Sequence, residues 1–235
     1  FGNRTLTFVL AIVAVATLVA VATHTPRRPR LIALAAVPLL GTVAQAVLGG
    51  ITVLTGLNPW TVAGHMLVTM AIIAACTVLL SRAQDPGDGP AVPLVRPEIR
   101  VLSRALVAVT AVVVVMGTAV TGSGPHSGDA DTEARFPFDP RTVSWLHADV
   151  VLLFLGLTVG MILALHLTGA ARVSLRRAWW LLAVSLAQGL VGYVQYFAGL
   201  PWVVVVVHLL GSTLVWIAVI RLHLSLRRRE AVSAG

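Results

Sequence analysis

Hydrophobic residues along this chain come in seven long runs separated by short polar segments. The runs cover 5–23, 31–54, 61–81, 101–121, 142–168, 178–198 and 203–224. About 20 apolar residues suffice for a helix to cross the hydrocarbon core of a bilayer. The expected fold is therefore an all-α integral membrane protein with seven transmembrane helices in this sequence. Composition agrees: 57% of the 235 residues are hydrophobic and 11% are charged, and mean hydropathy is +0.92. Soluble domains carry about a quarter charged residues. A net charge of +8 would point to nucleic acid in a soluble protein. Here the arginines sit in connections between spans, so the partner they imply is the lipid bilayer and no nucleic acid is expected.

Those connections set the orientation. Segments 24–30, 82–100 and 169–177 and the tail from Arg221 to Glu230 hold most of the arginines, whereas the turns at 56–60 and 199–202 hold no charge. The long segment 122–141 carries Asp129, Asp131, Glu133 and Asp139 against Arg135 and Arg141. Basic connections are expected in the cytoplasm and the acidic one outside. The C-terminus is then cytoplasmic, and Phe1 begins on the external side of a plasma or inner membrane. Cys76 is the only cysteine; it cannot form a disulfide within the chain and is expected to be a small buried hydrophobe.

An internal repeat changes the picture. Gln45 to His65 reads QAVLGGITVLTGLNPWTVAGH, and Gln188 to His208 reads QGLVGYVQYFAGLPWVVVVVH. Shifted by 143 residues without a gap, Gln45 meets Gln188, Gly49 meets Gly192, Gly56-Leu57 meet Gly199-Leu200 and His65 meets His208. The chain is thus expected to be two related halves. Residues 101–235 form a four-helix half, 1–81 a half that lacks its first helix, and 82–100, rich in Pro, Gly and Asp, a flexible cytoplasmic linker between them. The parent would be an eight-helix protein of two parallel four-helix repeats, with one helix and its external loop preceding Phe1.

The repeat preserves two polar residues inside apolar helices, which packing alone does not require. His65, His147 and His208 each fall about one turn inside the external end of a span, and ionisable residues there usually face the bundle interior and mark function. Neutral imidazole is a metal ligand, and two histidines from neighbouring helices can hold a heme iron from both faces. Zinc needs about four N, S or O ligands, and this layer offers histidine with Asp149 nearby, so heme suits it better. A proton relay stays open. His147 and His208 form the natural pair in the second half; in the first, His65 matches His208, and the counterpart of His147 falls close to Asn3. His24, His166 and His223 lie at cytoplasmic span ends, and His126 lies in the external loop. Gln45 and Gln188 suit helix–helix hydrogen bonds, and Trp60, Trp145 and Trp202 an external aromatic belt.

Four stretches carry a family resemblance over essentially the whole chain: the FGNR start, LGGITVLTGLNPWTVAGH, VTGSGPHSGD and GYVQYFAGLPWVVVVVHLLG. The sequence resembles the heme A synthase family, whose members oxidise a methyl group of heme O to the formyl group of heme A for terminal oxidases. The resemblance implies an oxidoreductase with a b-type heme in its second half, His147 and His208 as axial ligands, and heme O as substrate near His65 and Asn3. The family's second helix usually opens on Glu-x-x-His-Arg. Here Asn3-Arg4 stand where His-Arg would be, so the catalytic Glu, like any first-loop cysteines, would precede Phe1. Arg4, Arg135 and Arg141 can pair with heme propionates, since Arg matches carboxylates. The Gly-rich TGSGPHSGD segment can cradle an anion. Heme O synthase and the terminal oxidase are the protein partners the resemblance suggests, with an unnamed electron acceptor. Rival readings are a transmembrane diheme electron-transfer cytochrome, a heme-binding chaperone or transporter, and a transporter without heme.

Overall fold

The computed structural model describes residues 2–125 and 134–230, with side chains from residue 5 onward. Among them seven helices follow in order: α1 (Gly2–Thr23), α2 (Pro29–Leu54), α3 (Pro59–Ala83), α4 (Pro97–Ser123), α5 (Pro140–Leu167), α6 (Arg172–Phe197) and α7 (Trp202–Ser225). Each is long and apolar enough to cross a membrane. The protein is an all-α integral membrane protein, and each apolar run lies on its own helix. Helix α6 begins at Arg172, earlier than its apolar run, because an arginine can extend its charge to the interface while its stem stays helical. Prolines occupy the first turns of α2 to α5, where the missing N–H costs nothing. Asn58 caps α3 by accepting from the Trp60 N–H at 3.0 Å, and Asp139 caps α5 by accepting from the Thr142 N–H at 2.8 Å.

Helices α4 to α7 close into a ring in which each touches two neighbours. The first three helices pack in sequence, α1 on α2 and α2 on α3. Helix α3 joins the two groups by packing against α7 and α4, and the Trp216 indole of α7 donates to the Met70 carbonyl of α3 at 2.9 Å. Leu106, Phe154, Met161, Leu165, Leu181 and Val219 fill the ring's core. That core occupies one end only. No described residue in 111–121, 144–153, 186–197 or 202–214 is fully buried. The open end carries the turns at 55–58 and 198–201 and is called the turn end; the packed end carries the arginine-rich connections and is called the basic end.

The segment between the halves was expected to be a flexible linker, and it is pinned instead. Residues Ala91–Pro93 form a short strand, β1, antiparallel to β2 (Arg227–Arg229), with Ala91 opposite Arg229. The Leu94 N–H adds a bond to the Leu226 carbonyl. Asp88 pairs with Arg28 at 2.9 Å and with Arg82 at 3.3 Å, and Asp85 pairs with Arg82 and Arg229. Arg28 also donates to the carbonyls of Asp85 and Gly87, and Arg229 to that of Gly89. The start of α2, the end of α3, the linker and the C-terminal strand thus form one clasp. Burial opposes the charge on Asp88, but hydrogen bonds from Arg28 and Arg82 and their positive charge outweigh it, holding the carboxyl below its usual range. Cys76 departs from expectation too: it is exposed on α3. A lipid-facing surface is as apolar as a core, so hydropathy alone does not separate the two.

Candidate functional site

The repeat extends to the backbone of its turns. Gly56 and Leu57 have φ of 63° and 57°, and Gly199 and Leu200 have 76° and 62°. Leucine rarely adopts the left-handed region, so two leucines there at equivalent places mark a constrained turn. In each, the leucine N–H reaches back to close the preceding helix: Leu57 to the Thr52 carbonyl at 2.8 Å, Leu200 to the Gln195 carbonyl at 2.9 Å. The next helix starts almost at once, at Pro59 or Trp202. His65 and His208 each lie six residues into that helix, about 9 Å deep at 1.5 Å per residue. His147 lies seven residues into α5, which starts at the same end. The three histidines therefore share one depth.

Each ring lies against a glycine of the preceding helix. A Cβ on Gly49 would stand 3.6 Å from His65 Cε1, one on Gly117 would stand 3.6 Å from His147 Cε1, and one on Gly192 would stand 3.1 Å from His208 Cε1. The glycines let the imidazoles sit close to the neighbouring backbone. Gly49 and Gly192 were visible as repeat partners. Gly117 was missed; its one sequence signal is a lone glycine following VVVVM in an apolar run. Nδ1 of all three rings is buried; those of His65 and His208 have no hydrogen-bond partner, whereas the Val113 backbone lies within reach of the His147 ring. His147 and His208 are within electrostatic reach of each other.

Gln45 and Gln188 make the interhelical bonds expected of them. Gln45 Nε2 donates to the His65 carbonyl at 2.9 Å, and Gln188 Nε2 to the His208 carbonyl at 2.7 Å. His147 and His208 stand toward the turn end of the α4–α7 ring, among the stretches 111–121, 144–153, 186–197 and 202–214 that hold no fully buried residue. Among the described residues no three His, Cys, Asp or Glu side chains gather as a metal cluster. One or two imidazoles on neighbouring helices suit an apolar macrocycle. Each ring rests against a glycine with its Nδ1 buried against protein. A crevice of about 430 Å³ lies elsewhere, at the basic end between Pro93–Arg96 and Thr168–Ala171, far from the histidines along the chain's helices.

The remaining candidates scatter around this layer. Arg141 lies over the Trp145 ring at 5.7 Å. Arg135 donates to the carbonyls of Ala134 and Pro125. Asp149 is exposed on α5, about 200° around the helix from His147. Trp60, Trp145 and Trp202 are all largely exposed near helix starts at the turn end, the placement of an aromatic belt. Trp60 also meets Phe136 edge-on at 4.6 Å, tying the start of α3 to the segment before α5. His223, expected to be an interfacial histidine, bonds the buried Ser103 hydroxyl at 2.7 Å at the basic end. The side chains of Asn3 and Arg4, together with His126, Asp129, Asp131, Glu133 and the 126–129 end of the TGSGPHSGD segment, lie outside the described residues.

Fold and site together define a class: a multi-pass helical membrane protein with a layer of glycine-backed histidines at one end of its bundle. Residues 1–220 match the family described as cytochrome oxidase assembly protein, COX15-CtaA. The chain belongs to that family, which is the heme A synthase family its motifs resemble. Its role lies in cytochrome oxidase assembly. No curated protein matches it.

Proposed function

We propose that the protein oxidises the methyl group of heme O to the formyl group of heme A in a plasma or inner membrane, with its site near the external face and its C-terminus in the cytoplasm. The observation that carries this reading is the histidine layer: three imidazoles at one depth, each backed by glycine with its Nδ1 buried. His147 and His208 would hold a resident b-type heme through their imidazoles. That heme supplies one-electron chemistry when bound. His65 would hold the substrate heme O in the first half.

The chain's own part is to bind, orient and exclude water. The glycines fix where each imidazole stands, and neutral Nε2 is the ligand atom. The apolar walls of α4 to α7 keep water from the iron, which strengthens every electrostatic interaction within. Arg4, Arg135 and Arg141 are the arginines we assign to heme propionates. Asp149, two residues after His147 on α5, is the candidate proton carrier. Oxidising a methyl to a formyl group takes several electrons, so an acceptor outside this chain completes the reaction. Heme O synthase and the terminal oxidase are the natural suppliers and consumers.

The test is product analysis in membranes that contain heme O. Cells making heme O and this protein should yield extractable heme A, identified by mass, and cells lacking the protein should not. Absence of any formyl-bearing or hydroxylated heme would favour the diheme cytochrome or the heme carrier, which use the same histidines without changing the heme.

A further inference from the structure

Two of the three histidines have more behind them than a glycine. On α6, Gln188 lies one turn before Gly192, so both side-chain positions face α7. A carbonyl within a helix already accepts from the N–H four residues on, and its second lone pair is free. The Gln188 amide uses that lone pair on His208, at 2.7 Å. The contact is reciprocal. The Gln188 side chain from α6 covers Gly211 of α7, where a Cβ would collide with its Oε1, while the His208 ring from α7 covers Gly192 of α6. Each helix lends one side chain to a glycine on the other, which fixes the height and rotation of the histidine.

The first half carries a looser version. Gln45 donates to the His65 carbonyl at 2.9 Å and also to the Thr69 hydroxyl. Its Oε1 is buried with no partner. The residue equivalent to Gly211 is Val68, so the return contact has no glycine to receive it. The ring of His65 also stands farther from its glycine, 3.6 Å against 3.1 Å for His208, measured to the Cβ position.

We infer that Gln188 and Gln45 are positioning residues for His208 and His65. The reciprocal Gln188–Gly211 and His208–Gly192 lock, which the first half lacks, makes the second-half site retain its heme while the first-half site exchanges. This rests on the reading that each half binds a heme. Groups behind a metal-ligating histidine orient it, and their loss typically costs 10–100-fold in affinity. Here the group acts on the histidine's backbone rather than on its ring, a lever that a list of iron ligands would not contain.

The experiment uses purified protein with its endogenous heme and compares wild type with Gln188→Leu, Gly211→Val and Gln45→Leu. Three quantities are read: the rate of heme transfer to apomyoglobin, the low-spin ferric EPR signal, and the apparent Tm. Gln188→Leu and Gly211→Val should release the resident heme roughly 10–100-fold faster and shift the EPR g-values. Gln45→Leu should leave that heme unchanged and speed release of heme O alone. Gln188→Leu is close to the native volume and carries the test if Gly211→Val does not accumulate. Wild-type release rates and g-values in Gln188→Leu, or a lower Tm with an unaltered EPR signal, would overturn the lock while leaving the heme reading in place. A wild-type protein with no low-spin heme would overturn both.

Discussion

Replacing Asp88 by Asn removes one negative charge from the clasp and keeps the side chain's shape. Asp88 faces two guanidinium groups, Arg28 at 2.9 Å and Arg82 at 3.3 Å. Side-chain exposures are 11% for Arg28, 16% for Arg82 and 17% for Asp88, so solvent screens the pairs little. Charge-assisted hydrogen bonds contribute about 1.5–3 kcal/mol, and breaking a fully buried pair costs about 3–5 kcal/mol. Arg28 keeps its bonds to two backbone carbonyls, and Asn still offers a neutral acceptor, so the expected loss is about 2 kcal/mol. For a chain of this size that lowers the apparent Tm of detergent-purified protein by roughly 4–8 °C. The pH dependence has a definite sign. Burial works against the Asp88 charge, yet the arginine bonds hold its carboxyl below the usual range. Its contribution is therefore complete above the unfolded carboxyl's pKa, near 3.9, and is lost as pH falls through the lower folded value. Wild type should lead Asp88→Asn by a constant margin from about pH 6 to 8, and the margin should close in acid below the ordinary carboxylate range. Equal Tm values at pH 7, or a margin unchanged in strong acid, would refute the clasp as a source of stability.

Other substitutions probe the site and the seam between the halves. His147→Ala or His208→Ala should each abolish the low-spin b-type spectrum of purified protein; normal heme content in both would remove them as ligands. His65→Ala should keep that spectrum and lose heme A formation, read by extraction and mass, and unchanged turnover would remove His65 from the substrate site. Gly122→Ala would drive a Cβ into the Phe136 ring, at a cost of about 1–3 kcal/mol, and should lower the apparent Tm by several degrees. Trp216→Phe deletes the indole bond to Met70 and should cost about 1 kcal/mol; a neutral result would show that the bond does not help join the halves.

Much of the fold was legible because membrane helices announce themselves by length and composition. Five of the seven runs lie within their helices and the other two overshoot by one residue, and the Gly56-Leu57 and Gly199-Leu200 repeat reappears as matched positive-φ turns. The glutamine bonds followed from the same repeat. What the sequence could not give was direction around each helix. Leu6 and Phe8 on α1 are as hydrophobic as Leu106 and Leu165, yet the first two are exposed and the last two buried, because lipid and core ask for the same chemistry. Cys76 was misplaced for that reason. Gly117 needed the register between α4 and α5 before it could be matched to His147. The clasp was hidden differently. Asp85, Gly87 and Asp88 read as turn formers in any context, and only the folded chain brings Arg28 and Arg229 to them.

The central claim, that this histidine layer holds heme and works on it, is tested most directly by the purified protein's own heme content. A reduced-minus-oxidised spectrum followed by extraction, chromatography and mass should show a b-type heme together with heme O, heme A or a hydroxylated intermediate. A protein purified with no heme, or one whose spectrum survives replacement of both His147 and His208, would contradict the account.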